Sequence, residues 1–185
     1  MKKIVVVVML LLILTGCNGK QGDMDGALQL RARLANTGCT FMAKVTADYG
    51  DTIYTFALQC SYSSAGDLQF TVKEQSTIEG IGGKITASGG ELVFDDVALA
   101  FELLADGQLS PVSAPYILMK ALRGGYMTVA GMDGEYTRVT VQDSYSDDAL
   151  TVDVWINQEN IPVQGEILFD GRRILTIQVE SFTFE

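Results

Sequence analysis

The chain contains no histidine. Histidine is the commonest general base, a frequent zinc ligand and the ordinary switch at physiological pH, so the usual machinery of catalysis is missing at the outset. Positive charge is also scarce, with 13 Lys and Arg against 23 Asp and Glu and a net charge of −10. A protein that grips nucleic acid through its phosphates needs the opposite balance. Three prolines and three cysteines in 185 residues exclude a collagen-like fibre and a small disulfide-stapled scaffold. A hydrophobic content of 48% against 19% charged residues excludes a disordered tail. What is present is the composition and length of one globular domain.

The first residues read as an address. Lys2 and Lys3 precede an unbroken apolar run from Ile4 to Leu14. That run is shorter than the roughly 20 residues a helix needs to span a bilayer, and it suits the apolar region of a signal peptide. Leu14-Thr15-Gly16-Cys17 follows and resembles the lipobox of bacterial lipoproteins, in which small residues fit the peptidase and the Cys thiol takes a diacylglyceryl group, with acyl chains of the palmitate type, before cleavage. The resemblance implies a signal peptide over residues 1–16, lipidation of Cys17, and attachment to the extracytoplasmic side of the cell membrane. Loss of Lys2 and Lys3 with the leader would take the net charge from −10 to −12. Asn18 to Asp25 is polar and contains glycine, and with Cys17 it makes an expected flexible tether over residues 17–25. Residues 26–185 are expected to form the folded domain.

In the mature chain, Met24 to Asn36 has Ala27, Leu30 and Leu34 on one helical stripe, with Asn36-Thr37-Gly38 as a stop. From Cys39 the apolar period becomes two. Cys39, Phe41, Ala43, Val45 and Ala47 alternate with polar residues, and Thr52 to Tyr62 does the same around the turn Asp48-Tyr49-Gly50-Asp51. A two-residue loop at Tyr49-Gly50 would place Val45 opposite Tyr54, Phe41 opposite Leu58 and Cys39 opposite Cys60. The closely spaced kind of antiparallel pair allows a disulfide there, so a Cys39–Cys60 bridge is expected; two small buried thiols would fit the same face. Leu68, Phe70 and Val72 form one side of the next strand, and Val97 to Ala105 also reads as a strand. Ser113-Ala114-Pro115 opens a helix whose stripe is Ala114, Ile117, Leu118, Ala121 and Leu122, with Gly124-Gly125 as a stop and hinge. Four strand-like runs follow, and Ile174 to Phe184 closes the chain. The expectation is a mainly β (α+β) fold: a strongly curved antiparallel half-barrel of about ten strands, with an N-terminal helix and an inserted lid helix.

Sites of chemistry are few. Gly80-Ile81-Gly82-Gly83-Lys84 lacks the first glycine of a phosphate loop and the hydroxyl after its lysine, so a glycine turn is expected. Asp143, Asp147 and Asp148 share a serine-rich loop whose spacing does not match the EF-hand pattern, and a solvated acidic loop is the simpler reading. No Gly-x-Ser-x-Gly elbow is present. No metal, cofactor or catalytic set is therefore expected.

The order of these elements resembles the lipoprotein-localisation-factor superfamily, LolA/LolB and the LppX/LprG-type lipid-binding lipoproteins. The resemblance rests on the N-terminal helix before the first hairpin, on Ser110-Pro111 through Pro115 opening the internal helix, and on the closing run. That run comprises Val154-Trp155-Ile156-Asn157, Ile161-Pro162-Val163, Gly165-Glu166-Ile167 and Ile174 to Phe184. It implies an unclosed barrel whose cavity accepts acyl chains beneath a helical lid. The expected lining is Phe41, Val45, Phe56, Leu58, Phe70 and Val72 from the sheet, facing Ile117, Leu118 and Leu122 of the helix. The function expected is non-catalytic binding of a lipid or other acyl-bearing ligand by a membrane-tethered lipoprotein. The alternative is an envelope lipoprotein with a filled core that acts on a protein partner.

Overall fold

The computed structural model describes residues 21–74, 79–94, 97–101, 104–105, 108–146 and 149–185. The leader, Cys17, Asp147 and Asp148 lie outside them. Helix α1 spans Gln21–Asn36, so the expected tether is already helical in its last five residues. Strands β1 (Cys39–Asp48) and β2 (Ile53–Tyr62) form the first hairpin, and β3 (Leu68–Glu74), β4 (Gly82–Thr86), β5 (Gly89–Phe94) and β6 (Val97–Phe101) continue the meander. Two short strands, β7 (Leu104–Ala105) and β8 (Gln108–Leu109), form a separate ladder. A 3₁₀ turn at Pro111–Ser113 leads into helix α2 (Ala114–Gly124). Strands β9 (Tyr126–Asp133), β10 (Tyr136–Gln142), β11 (Thr151–Ile156), β12 (Pro162–Phe169) and β13 (Arg172–Phe184) complete the fold.

Eleven of the strands make one antiparallel sheet in the order β6-β5-β4-β3-β2-β1-β13-β12-β11-β10-β9. The architecture is thus mainly β with an N-terminal and an inserted helix, as the alternation in the sequence predicts. The expected strong curl towards closure is corrected: the sheet stays open, with β6 and β9 as unjoined end strands. The last strand sits in its middle, between β1 and β12.

One face of the sheet is apolar because each strand alternates with period two. Cys39, Phe41, Ala43, Val45 and Ala47 of β1 are fully buried, and Leu58, Val72, Val139, Val154, Ile167 and Ile177 join them in one core. The opposite face carries polar networks. Asp153, almost fully buried, accepts hydrogen bonds from Arg138 and from Thr140 Oγ1, and Arg173 pairs with Glu166 at 2.8 Å.

Both helices lie on the apolar face. Ser113 stands at the N-cap of α2, but its hydroxyl donates back to the Ser110 carbonyl at 2.6 Å instead of capping the helix. The expected single stripe proves too narrow. Tyr116 and Met119 are buried as well as Ile117, Leu118, Ala121 and Leu122, and α1 packs on α2 while also touching β9 and β10. Gly165 of β12 leaves room for this approach, since a Cβ there would meet Leu118 Cδ1 at 2.8 Å. Gly125 is likewise a close-approach glycine: a Cβ would meet Val141 Cγ1 at 2.5 Å.

Candidate functional site

The nine residues expected to line a cavity are brought together in and against one core cluster. Phe41, Val45, Leu58, Phe70, Val72, Ile117, Leu118 and Leu122 are buried in one cluster, and Phe56 packs against it half-buried. Helix α2 is held firmly over them. Arg31 of α1 donates from Nε to the Leu122 carbonyl at 2.8 Å and from Nη2 to the Gly125 carbonyl at 2.6 Å. These are carbonyls a helix end leaves without intrahelical partners. Burial lowers the Arg31 pKa.

The expected disulfide is corrected. The hairpin loop holds four residues instead of two, closed by the Tyr49 N–H to the Thr52 carbonyl at 3.1 Å and by the Gly50 N–H to Asp48 Oδ1 at 2.8 Å. Every pairing therefore shifts by two residues. Val45 faces Phe56, Phe41 faces Cys60 and Cys39 faces Tyr62. The cysteines are diagonal neighbours on the buried face and both are free thiols. Burial, with Glu185 adding to it, pushes Cys39 up to about 12. Burial and the neighbouring Cys39 raise Cys60 as well.

The apolar face extends further than the helices that cover it. A single cross-strand row runs Phe41, Cys60, Phe70, Gly83, Leu92, Leu99 from β1 to β6. Its first three members are buried, Leu92 is half-buried and Leu99 is 63% exposed. Along β2 the same trend appears, from buried Leu58 through half-buried Phe56 to Tyr54 at 43%. Tyr54 stacks on Phe56 with ring centroids 6.3 Å apart and meets Tyr49 in a tilted contact at 6.1 Å. Gly83 is needed within the row, since a Cβ would meet the Phe70 ring at 2.5 Å. The result is an open apolar corner towards β6, where Leu92 is half-buried and Leu99 exposed.

At another margin of the same face lies a cleft of about 250 Å³. It is lined by core residues Tyr62, Tyr116 and Ala121 and by Lys120, Arg123, Gly66 and Asp143. Arg123 ties the end of α2 to the β2–β3 turn by donating from Nη2 to the Ser64 carbonyl at 2.8 Å. Tyr62 is pushed up to about 12 by burial, with the Arg123 charge acting in the opposite sense.

Solved structures with a related layout share little sequence. A putative outer membrane lipoprotein-sorting protein domain from Vibrio parahaemolyticus is 8% identical, with 89% of this chain and 93% of that one covered and a TM-score of 0.48. A LolA superfamily protein from Nitrosomonas europaea is 9% identical over 90% and 94% of the two chains, with a TM-score of 0.45. The Mycobacterium tuberculosis lipoprotein LppX is 13% identical over 87% and 93%, with a TM-score of 0.44. The chain is a distant structural match to these proteins. No protein-family model matches it, and no curated protein does.

A larger hollow, of about 430 Å³, lies on the polar side of the sheet among Thr40, Gln59, Ser61, Gln69, Thr71 and Lys84. It owes its floor partly to Gly82, which leaves the backbone bare between Thr71 and Val93. The remaining candidates take structural places. Gly80 turns with φ +88° before β4, and Asp143 Oδ1 accepts the Leu150 N–H at 2.8 Å to close the serine-rich loop. Trp155 Nε1 donates to Asp133 at 2.8 Å. Among the described residues no group of three or more His, Cys, Asp or Glu side chains can hold a metal, and no helix is long and apolar enough to cross a membrane. Sequence reasoning missed Leu99 and Tyr54 as exposed members of the apolar face and Leu92 as a half-buried one. It also missed Lys120 and Arg123 at the cleft, whose roles depend on tertiary neighbours.

Proposed function

We propose that the protein is a non-catalytic lipoprotein, tethered through Cys17 to the extracytoplasmic side of the cell membrane, that binds an acyl-bearing ligand on the apolar face of its sheet. The observation that carries this reading is the gradient of cover from Phe41 to Leu99. A core residue and a solvent-facing residue share one row, so apolar surface continues past α2 into an open corner. An acyl chain laid there contacts half-buried Leu92 and exposed Leu99 and removes exposed apolar area from water, at about 25 cal/mol per Å². The buried residues Phe41, Val45, Leu58, Ile117, Leu118 and Leu122 form the wall behind it, with Phe56 at the rim. Leu92 and Leu99 are apolar and so favour a hydrocarbon over a sugar or nucleotide.

The filled layer beneath α2 favours the second reading, an envelope lipoprotein that offers the open corner to a protein partner. Fluorescent fatty acid titrated into the full-length chain separates the two. Saturable uptake that Leu99→Asp abolishes supports the acyl ligand, and absence of any uptake rejects it. For the tether, Cys17→Ala is expected to release the protein from the membrane fraction. A processed, membrane-bound product from that variant would reject the anchor.

A further inference from the structure

We propose that the cleft at the C-terminal end of α2 is an anion site for a phosphoryl group, carried either as the headgroup of an acidic lipid or as free phosphate. In its lipid form the inference rests on the acyl-binding reading above. The cleft lies in a chain of net charge −10, yet two cations line it, Lys120 and Arg123. Among the described residues neither has a carboxylate partner, whereas Lys84, Arg138 and Arg173 are each paired with one. Cations in the last turn of a helix complement its dipole, which accounts for their sign but not for the state of Arg123. Its Nη2 is used by the Ser64 carbonyl, while its Nε is buried and is the one such side-chain atom among the described residues with no hydrogen-bond partner. Guanidinium donors match phosphate oxygens in geometry as well as charge.

The surroundings suit a small oxyanion. Tyr62 and Tyr116 supply phenolic hydroxyls at the cleft wall. Gly66, at φ +97°, lies beside the Tyr62 hydroxyl and the Arg123 guanidinium, since a Cβ there would meet Arg123 Nη1 at 3.1 Å and Tyr62 Oη at 3.6 Å. Asp143 is the one carboxylate in the lining, and its Oδ1 is committed to the Leu150 N–H. A volume of about 250 Å³ admits a headgroup but not its acyl chains. Because Tyr62 belongs both to the cleft and to the apolar core, a headgroup held there places its chains against the apolar face.

The test titrates the full-length chain with dihexanoylphosphatidylglycerol below its micelle concentration, with dihexanoylglycerol, and with inorganic phosphate. The phosphatidylglycerol is expected to bind about tenfold tighter than the diacylglycerol, and Lys120→Gln and Arg123→Lys are each expected to remove most of that difference. Lys120 is exposed, so its variant keeps the fold and reads the site alone. Phosphate binding as tightly as the phosphatidylglycerol, with the same sensitivity to Lys120→Gln, supports the site with free phosphate as its source. Phosphate binding without either lipid supports the site and overturns the acyl reading. Equal affinity for the two lipids with no response to phosphate overturns the anion site and leaves the acyl reading standing. No response to any of the three overturns both.

Discussion

Phe41 and Leu99 lie in the same cross-strand row on the same face of the sheet, yet Phe41 is fully buried and Leu99 is 63% exposed. The difference lies in what stands above them and not in the strands. Helix α2 packs over β10 to β13 and β2, pinned by Arg31 of α1, which itself touches α2, β9 and β10. An apolar strand face thus becomes core where a helix packs on it and stays exposed at Leu99.

The sharpest way to break this contrast is to put a charge on each side of it. Leu118→Asp is expected to unfold the domain, because an unpaired buried charge costs several kcal/mol. Leu118→Ala is expected to lower stability by about 3 kcal/mol, read by urea denaturation. Arg31→Ala comes next. Loss of two charged hydrogen bonds to helix-end carbonyls should cost about 2 kcal/mol and loosen α2, with raised amide exchange over residues 114–124. Leu99→Asp belongs to the other side and should change stability by less than about 0.5 kcal/mol. Equal destabilisation by Leu99→Asp and Leu118→Asp would remove the distinction altogether.

Much of this was legible in the sequence, and the failures have physical causes. Strand alternation gave the sheet and its apolar face, and the Ser113 to Leu122 pattern gave α2. The hairpin register was misjudged by two residues, because a shift of two leaves every side chain on its own face and the apolar pattern cannot detect it. The Asp48 side chain, bonded to the Gly50 N–H, is what selects the longer loop. Val97 to Ala105, read as one strand, contains β6 and β7. A leucine at 99 reads the same whether a helix covers it or not, so the open corner could not be seen from periodicity. Lys120 and Arg123 look like ordinary helix-end cations until Ser64 and Tyr62 are placed beside them.

The smallest effect concerns the thiols. Cys39 and Cys60 are expected to resist alkylation at pH 8 in the folded protein and to react as two thiols once it is unfolded. Their folded pKa values stand above the unfolded ones, that of Cys39 at about 12. The unfolded chain therefore loses these protons first. Stability from this source is complete below about pH 8.5 and falls as pH rises towards 12. Alkaline denaturation of a Cys39→Ala, Cys60→Ala variant should show a weaker pH slope than the parent.

The central place of β13 has a consequence for time. β1 to β6 build one half of the sheet and β9 to β12 the other, and only β13, which follows both along the chain, hydrogen-bonds to each. A chain emerging from its N-terminus can assemble two half-sheets early, each with a strand edge exposed, but cannot join them until residues 172–184 arrive. The step that completes the sheet is therefore late and non-local, of the kind that folds in milliseconds to seconds, and until then the edges of β1 and β12 are open to pairing with a neighbouring chain.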